Sequence, residues 1–173
     1  GGDRQAILDV MAERQAERIA TVWAAREPDL PLSGPEEMLI LASIIEKETG
    51  VPEERGEVAS VFVNRLSAGM RLQTDPTVIY GLGAGFDGNL RRSDLERDGP
   101  YNTYTRAGLP PTPISLPGAG SLQAAVQPDE RGDLYFVAAG EADGSHTFSR
   151  TLAEHNRAVA KYVKRYRQQQ KER

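Results

Sequence analysis

The sequence predicts an α+β fold, helix-dominated with a small β-sheet. Apolar residues recur mostly at helical spacing, in segments bounded by proline and glycine. One run, LYFVAA over residues 134–139, has clear strand character. A stretch punctuated by Pro100, Pro110, Pro111, Pro113 and Pro117 separates that strand from the helical first half.

Each element has its own local reason. Residues 3–26 are rich in Ala, Arg, Glu and Gln, good helix formers, with Ile7, Val10, Met11, Ile19, Val22 and Trp23 as apolar positions. The stretch 28–35 breaks that helix. A second helix starts near Ser33 or Gly34, sets Pro35 at its first helical position, and runs to Thr49 with Gly50 as its stop. A third covers 53–68, turning Val58, Val61, Phe62 and Leu66 inward, with Gly69 at its C-terminal stop. Asp75-Pro76 reads as N-cap and first turn of a short helix to Tyr80. Residues 81–88 form a glycine-rich loop, and Ser93 and Glu96 have capping-box spacing for a short helix near Asp94. The proline-rich stretch that follows carries aromatics, which favours a functional loop. A helix over 121–126 ends before Pro128. The strand pairs with Thr147-Phe148 across a glycine-containing turn. The closing helix, 152–169, carries Leu152, Val159, Tyr162, Val163 and Tyr166 on or near one face. Residues 1–34 read as a helical segment packed on a main domain over 35–173.

At 173 residues the chain can bury a real core, and 39% hydrophobic with 27% charged residues is the balance of a folded domain. A net charge of -4 argues against general affinity for nucleic acid. With no cysteine, disulfides and thiolate metal sites are excluded. No apolar run of about 18 residues occurs, and no signal peptide is visible.

The segment MLILASIIEKETG holds the sharpest signal. With Leu41 at zero and about 100° per residue, Ile45 falls at about 40°, Met38 at about 60°, Ile44 at about 300° and Glu48 at about 340°. Glu48 therefore lies within the apolar stripe, whereas Glu46, at about 140°, sits at its edge and Lys47, at about 240°, faces the polar side. Desolvation keeps a carboxyl so placed protonated, the form that can donate to a glycosidic leaving group. The plainer reading is a helix-end carboxylate that escapes to solvent or caps a neighbour. The wheel leaves both open.

The blocks LASIIEKETG, VASVFVNRLSAGMRLQTDPTVIYG, YNTYTRAGLPPTPISLPGAGSL, LYFVA and HTF with a downstream HN resemble, in order, the YceG-like (MltG) family of endolytic murein transglycosylases. The resemblance covers roughly residues 38–162. It implies a lysozyme-like catalytic domain that cuts glycan strands between N-acetylmuramic acid and N-acetylglucosamine, leaving a 1,6-anhydro-muramic end. It also implies that Glu48, the second glutamate of EKET, is the catalytic acid/base. One carboxyl suffices for this chemistry. Glu48 protonates the departing oxygen, then takes the proton of the sugar's own C6 hydroxyl as that oxygen closes on C1, and intramolecular attack supplies the proximity that water lacks. No metal or organic cofactor is needed.

The resemblance further implies that Gln73 hydrogen-bonds the glycan, its amide both donating and accepting. Asp75 reads equally as an N-cap or a site residue, and Tyr80 as core or as a ring for sugar stacking. In the YNTY block, Asn102 would fix the acetamido group and Tyr104 would orient Glu48 by a hydrogen bond. His146 and His155 make a poor metal site. His155 reads as packing or surface, and His146, at a strand start, as a structural residue first and a substrate contact second. Lys161, Lys164, Arg165 and Arg167 read as a solvated helical face. By the same resemblance the partners are peptidoglycan strands and peptidoglycan synthases. The place of action is the periplasmic face of the bacterial inner membrane, reached through an N-terminal anchor. That anchor and a LysM-like region are not evident here, so the chain is expected to be a piece of a longer protein. Two rivals remain: a hydrolytic muramidase, which leaves reducing ends, and a non-catalytic glycan-binding or scaffold module, which would be indifferent to Glu48→Gln.

Overall fold

The computed structural model describes residues 2–171, so the outermost ends of the expected division, residue 1 and residues 172–173, lie outside the described residues. The first helix, α1, spans Gly2–Ala24. Only its C-terminal half is anchored, through Ile19, Val22 and Trp23 against the core. The chain leaving it is tied down by Glu27 N–H donating to the Val126 carbonyl at 2.9 Å and by the Gln127 amide donating to the Ala25 carbonyl at 3.0 Å.

Helix α2, Pro35–Glu48, forms the centre. Proline opens it, Glu36 and Glu37 complement its positive end, and Glu37 reaches back to the Ser33 N–H at 2.7 Å. Met38, Leu41, Ala42, Ile44 and Ile45 are fully buried. Each large side chain among them stabilises the fold by about 1.5–3 kcal/mol. Around α2 pack α1, α3 (Arg55–Ser67), α4 (Asp75–Leu82) and α6 (Ala119–Val126). A 3-10 turn, Pro52–Glu54, leads into α3. Gly69 (φ +65°) ends that helix as expected, with Met70 N–H returning to the Arg65 carbonyl at 2.8 Å.

The short helix α5 is Arg92–Glu96, and it corrects the expected capping box. Asp94, rather than Glu96, reaches back, accepting the Arg91 N–H at 2.9 Å, while Glu96 pairs with Arg92. The long proline-rich segment is pinned to α2. The Ser43 hydroxyl accepts the Ile114 N–H at 2.9 Å, and the Ser115 hydroxyl donates to the Ser43 carbonyl at 2.9 Å.

Strands β1 (Tyr135–Ala138) and β2 (His146–Ser149) form one antiparallel pair, with Phe136 opposite Phe148 and Ala138 opposite His146. Two strands alone are marginal in water. Here both phenylalanines pack on the core, Phe136 edge-on to Phe62 at 5.9 Å. The last helix, α7 (Leu152–Lys171), covers the other face, where His155 stacks on Tyr135 at 5.2 Å. Of its apolar positions, Val159, Tyr162 and Val163 are partly buried and Leu152 and Tyr166 stay exposed. No helix among the described residues is long and apolar enough to cross a membrane. The fold is α+β and helix-dominated, as the sequence predicts.

Candidate active site

Glu48 closes the last turn of α2, where the negative end of the helix disfavours an anion. Its side chain enters a cleft of about 160 Å³ with walls of Phe62, Leu72 and Phe136. Arg65, Gln73, Asp75 and Tyr104 line the same cleft. Burial pushes the Glu48 carboxyl above the usual carboxylate range, and the Asp75 charge pushes the same way. The Thr74 hydroxyl, which donates to Glu48 Oε1, acts against this, as do His146 and Arg65. The carboxyl therefore tends to hold its proton while keeping one donor ready for its ionised form.

Two chain segments bring these groups together. Gln73 adopts a left-handed backbone (φ +52°), uncommon outside glycine, just before α4. The turn is stapled to the YNTY loop: Gln73 N–H donates to the Thr103 carbonyl at 3.1 Å and Thr74 N–H to the Thr103 hydroxyl at 3.1 Å. Thr77 completes the staple, donating to the Thr74 carbonyl at 2.8 Å and lying 2.9 Å from the Thr103 hydroxyl. The Thr74 hydroxyl is thus held in place before any substrate arrives.

Asp75 is the first residue of α4, not its cap; Thr74 holds the cap position. The Asp75 carboxylate instead accepts the Tyr104 hydroxyl at 2.5 Å. Tyr104 therefore does not bond Glu48, as expected of it; Thr74 holds that place. Burial first, and the Asp75 acceptor next, keep the Tyr104 hydroxyl protonated, so it remains a donor.

Two expected site residues lie elsewhere. Asn102 is buried, and its amide donates to the carbonyls of Asp94, Leu95 and Arg97 at 3.2, 3.0 and 2.7 Å, while its Oδ1 accepts the Tyr104 N–H at 2.9 Å. Its amide hydrogen bonds thus go into shaping the loop that carries Tyr104. Tyr80 is exposed and tilts against Tyr101 at 4.9 Å, beside a separate cavity it shares with Lys47, Pro76, Ile79 and Ile114.

Arg65 and Thr74 were not singled out from the sequence. Arg65 is buried, its guanidinium donating to the carbonyls of Leu134 and Leu72 at 2.7 Å each. It joins the sheet to α3 and gives the cleft a fixed positive charge. A charged residue among the inward-facing Val61, Phe62 and Leu66 of α3 is the same signal that marks Glu48 on α2.

The sequence pattern of the YceG-like family matches residues 1–161. An endolytic murein transglycosylase of Bacillus subtilis (strain 168) is 48% identical over 126 residues, covering 73% of this chain and 34% of that protein. One from Streptococcus pneumoniae (strain D39) is 34% identical over 131 residues, covering 73% of this chain and 24% of its own length. A crystal structure of a YceG-like protein from Listeria monocytogenes superposes with a TM-score of 0.67 at 48% identity, over 72% of this chain and 40% of that one. The chain thus spans about a third or less of the curated relatives it matches. With the family pattern matched over nearly all of its length, the chain belongs to the YceG-like family.

Proposed function

We propose that this chain is the catalytic domain of an endolytic murein transglycosylase, a lyase that cuts peptidoglycan strands between N-acetylmuramic acid and N-acetylglucosamine. The observation that carries the reading is Glu48: a carboxyl whose hold on its proton is raised by burial, in an open cleft, with a hydroxyl donor already on it. In the first half of the reaction Glu48 gives its proton to the glycosidic oxygen as the C1–O bond breaks. In the second, the Glu48 carboxylate takes the proton of the C6 hydroxyl as that oxygen bonds C1. The ring closes as a 1,6-anhydro end, and Glu48 is again protonated. Gln73, which lines the cleft, hydrogen-bonds the glycan in this reading, and the Asp75–Tyr104 pair presents a second polar edge. The relatives' names support peptidoglycan as substrate. A lysozyme-like arrangement of the domain, action on nascent strands beside the synthases, and attachment to the outer face of the cytoplasmic membrane through other parts of the protein belong to the same proposal.

The test is product analysis of digested peptidoglycan by mass spectrometry, with wild type and Glu48→Gln. Anhydro ends with wild type are expected, and a loss of turnover of about 10³-fold or more with Glu48→Gln while strands still bind. Asp75 gives the hydrolytic reading its one support, since a second carboxylate in the cleft is what a water-activating glycosidase uses. Its engagement by Tyr104 speaks against that role. Reducing ends in place of anhydro ends would decide for hydrolysis, and undiminished cutting by Glu48→Gln would remove Glu48 from the chemistry.

A further inference from the structure

Beside the Glu48 cleft lies a second cavity, of about 300 Å³, that the reaction as derived does not use. The two are built on neighbouring residues of the same elements. On α2, Glu48 enters the cleft and Lys47 lines the cavity; on α4, Asp75 lines the cleft and Pro76 the cavity. The Thr74 hydroxyl, bonded to Glu48, ties the end of α2 to the start of α4, so the two sites adjoin. Ile79, Tyr80 and Ile114 complete the cavity. Its walls are mainly apolar, with two polar tips, a phenol and an ammonium. The Tyr80 ring is exposed, yet it is propped against Tyr101 at 4.9 Å. Lys47 is exposed as well, and none of the ion pairs among the described residues includes it. The carboxylates next to it in the chain are turned elsewhere: Glu46 accepts from the Gly118 N–H and the Ser121 hydroxyl, and Glu48 enters the cleft.

We propose that this cavity holds the peptide stem of the strand being cut: the stem's small apolar side chains lie on Ile79, Ile114 and the Tyr80 ring, and a free stem carboxylate meets the Lys47 ammonium. The proposal rests on the reading of the chain as a peptidoglycan transglycosylase, and it names a further part of that substrate. The chemistry of the strand calls for such a neighbour. A stem is attached through a lactyl ether at C3 of the muramic ring, and C1 of the same ring is where the bond breaks. Only C2 stands between them, so with C1 at Glu48 the stem leaves the cleft close by. One peptide step separates Glu48 from Lys47 and Asp75 from Pro76, about 3.8 Å between Cα atoms. The lining matches a stem in kind. Alanine-sized side chains bury apolar area on the isoleucines and the tyrosine, and a carboxylate complements the cation. A sugar ring matches it less well, since its hydroxyls need several donors and acceptors. Among the described residues that line the cavity, Lys47 and Tyr80 alone offer polar side-chain atoms.

Two substrates test this on the full chain: strands that carry their stems, and strands stripped of them by an amidase, which leaves the lactyl carboxylate behind. The readout is the ratio of kcat/KM on stem-bearing strands to kcat/KM on stripped ones. Lys47→Gln should lower that ratio about threefold, the size of an exposed ion pair, and should do so through KM. Tyr80→Ala should lower it by about as much, through lost apolar contact. Lys47→Arg, which keeps the charge, should hold the ratio near wild type. Added salt should reduce the wild-type ratio, and Lys47→Gln should abolish that salt dependence. Lys47 and Tyr80 are exposed, so the variants should unfold near the wild-type temperature. A ratio that stays at the wild-type value in Lys47→Gln and Tyr80→Ala overturns the proposal. That holds whether neither variant matters or both substrates suffer equally, the second result making the cavity a subsite for glycan or for the lactyl carboxylate. Failure of the underlying reading looks different: wild type cuts neither substrate, or Glu48→Gln cuts both undiminished, and the stem site falls with it.

Discussion

A buried acid has a cost that its hydrogen bonds only partly offset, and Glu48 shows the balance at the scale of one side chain. Its folded-state carboxyl holds the proton more tightly than an exposed glutamate does. Below the unfolded value both states are protonated, and the group does not alter stability. As pH rises through the raised folded value, both states ionise and the native state alone bears the desolvation cost. Glu48→Gln should therefore unfold at a higher temperature than wild type at neutral pH, with the gap closing in acid; a gap independent of pH would contradict the burial assigned to Glu48. Thr74→Val is the complementary test. Losing the hydroxyl leaves the ionised form with one donor fewer, so kcat should drop about tenfold or more and the alkaline limb of the pH–rate profile should move up. An unchanged limb would mean that the Thr74 contact is not made in solution. Glu48 was legible in the sequence because helical periodicity is local, and one helix decides which way it points. Thr74 was not, since its partner lies 26 residues away and no spacing rule joins them. The loop-shaping bonds of Asn102 were hidden for a third reason: an asparagine in a polar loop looks the same whether its amide meets a ligand or three carbonyls of its own chain.

At the scale of elements, α2 is the reference on which the cleft is built. Ser43 fixes the proline-rich loop to it, and Glu46 fixes α6: its carboxylate accepts the Gly118 N–H at 3.0 Å and the Ser121 hydroxyl at 2.6 Å. Glu46 thus caps the N-terminus of a neighbouring helix, with the side chain that the wheel placed at the stripe's edge. The Ser121 and Gly118 donors hold its carboxyl below the usual range. A lowered carboxyl stabilises the fold above its unfolded value, and the contribution is lost as pH falls through the folded value. Glu46→Ala should cost up to about 1 kcal/mol at neutral pH, discounted for its exposure, and nothing once the carboxyl is protonated in wild type. Denaturant unfolding at neutral and acid pH checks this, and an equal cost at both would mean that packing, not the charge, is what Glu46 supplies. Helices and strands were legible here where caps were less so. Proline at the start and glycine at the end bracket α2 and α3 closely, but the expected box at Ser93 and Glu96 gave way to Asp94 reaching back to Arg91. Two acidic residues within one short helix both fit the spacing, and only the chain's path before the helix chooses between them.

For the molecule as a whole, α1 poses the remaining question, because one helix is both inside the fold and outside it. Its sequence is helical throughout, and apolar positions continue along all of it. Composition alone gives no reason for the core to stop partway. The structure does: α2 and α6 pack against α1, whose Ile19, Val22 and Trp23 lie on the core, whereas Ile7, Leu8, Val10 and Met11 remain exposed. Residues 1–34 were expected to pack as a segment, and we propose that only the part from about Ile19 onward is integral to the catalytic domain. Stability should then be divided along the helix. Trp23→Ala removes an aromatic that packs on the core and stacks under the Arg26 guanidinium at 4.4 Å, so it should cost about 2 kcal/mol or more in denaturant unfolding. Met11→Ser, on the same helix but beyond the core, should change the result by no more than about 0.5 kcal/mol. If Met11→Ser cost as much as Trp23→Ala, the first half of α1 would be covered in solution by a contact that the isolated chain does not make, and the division proposed here would fail.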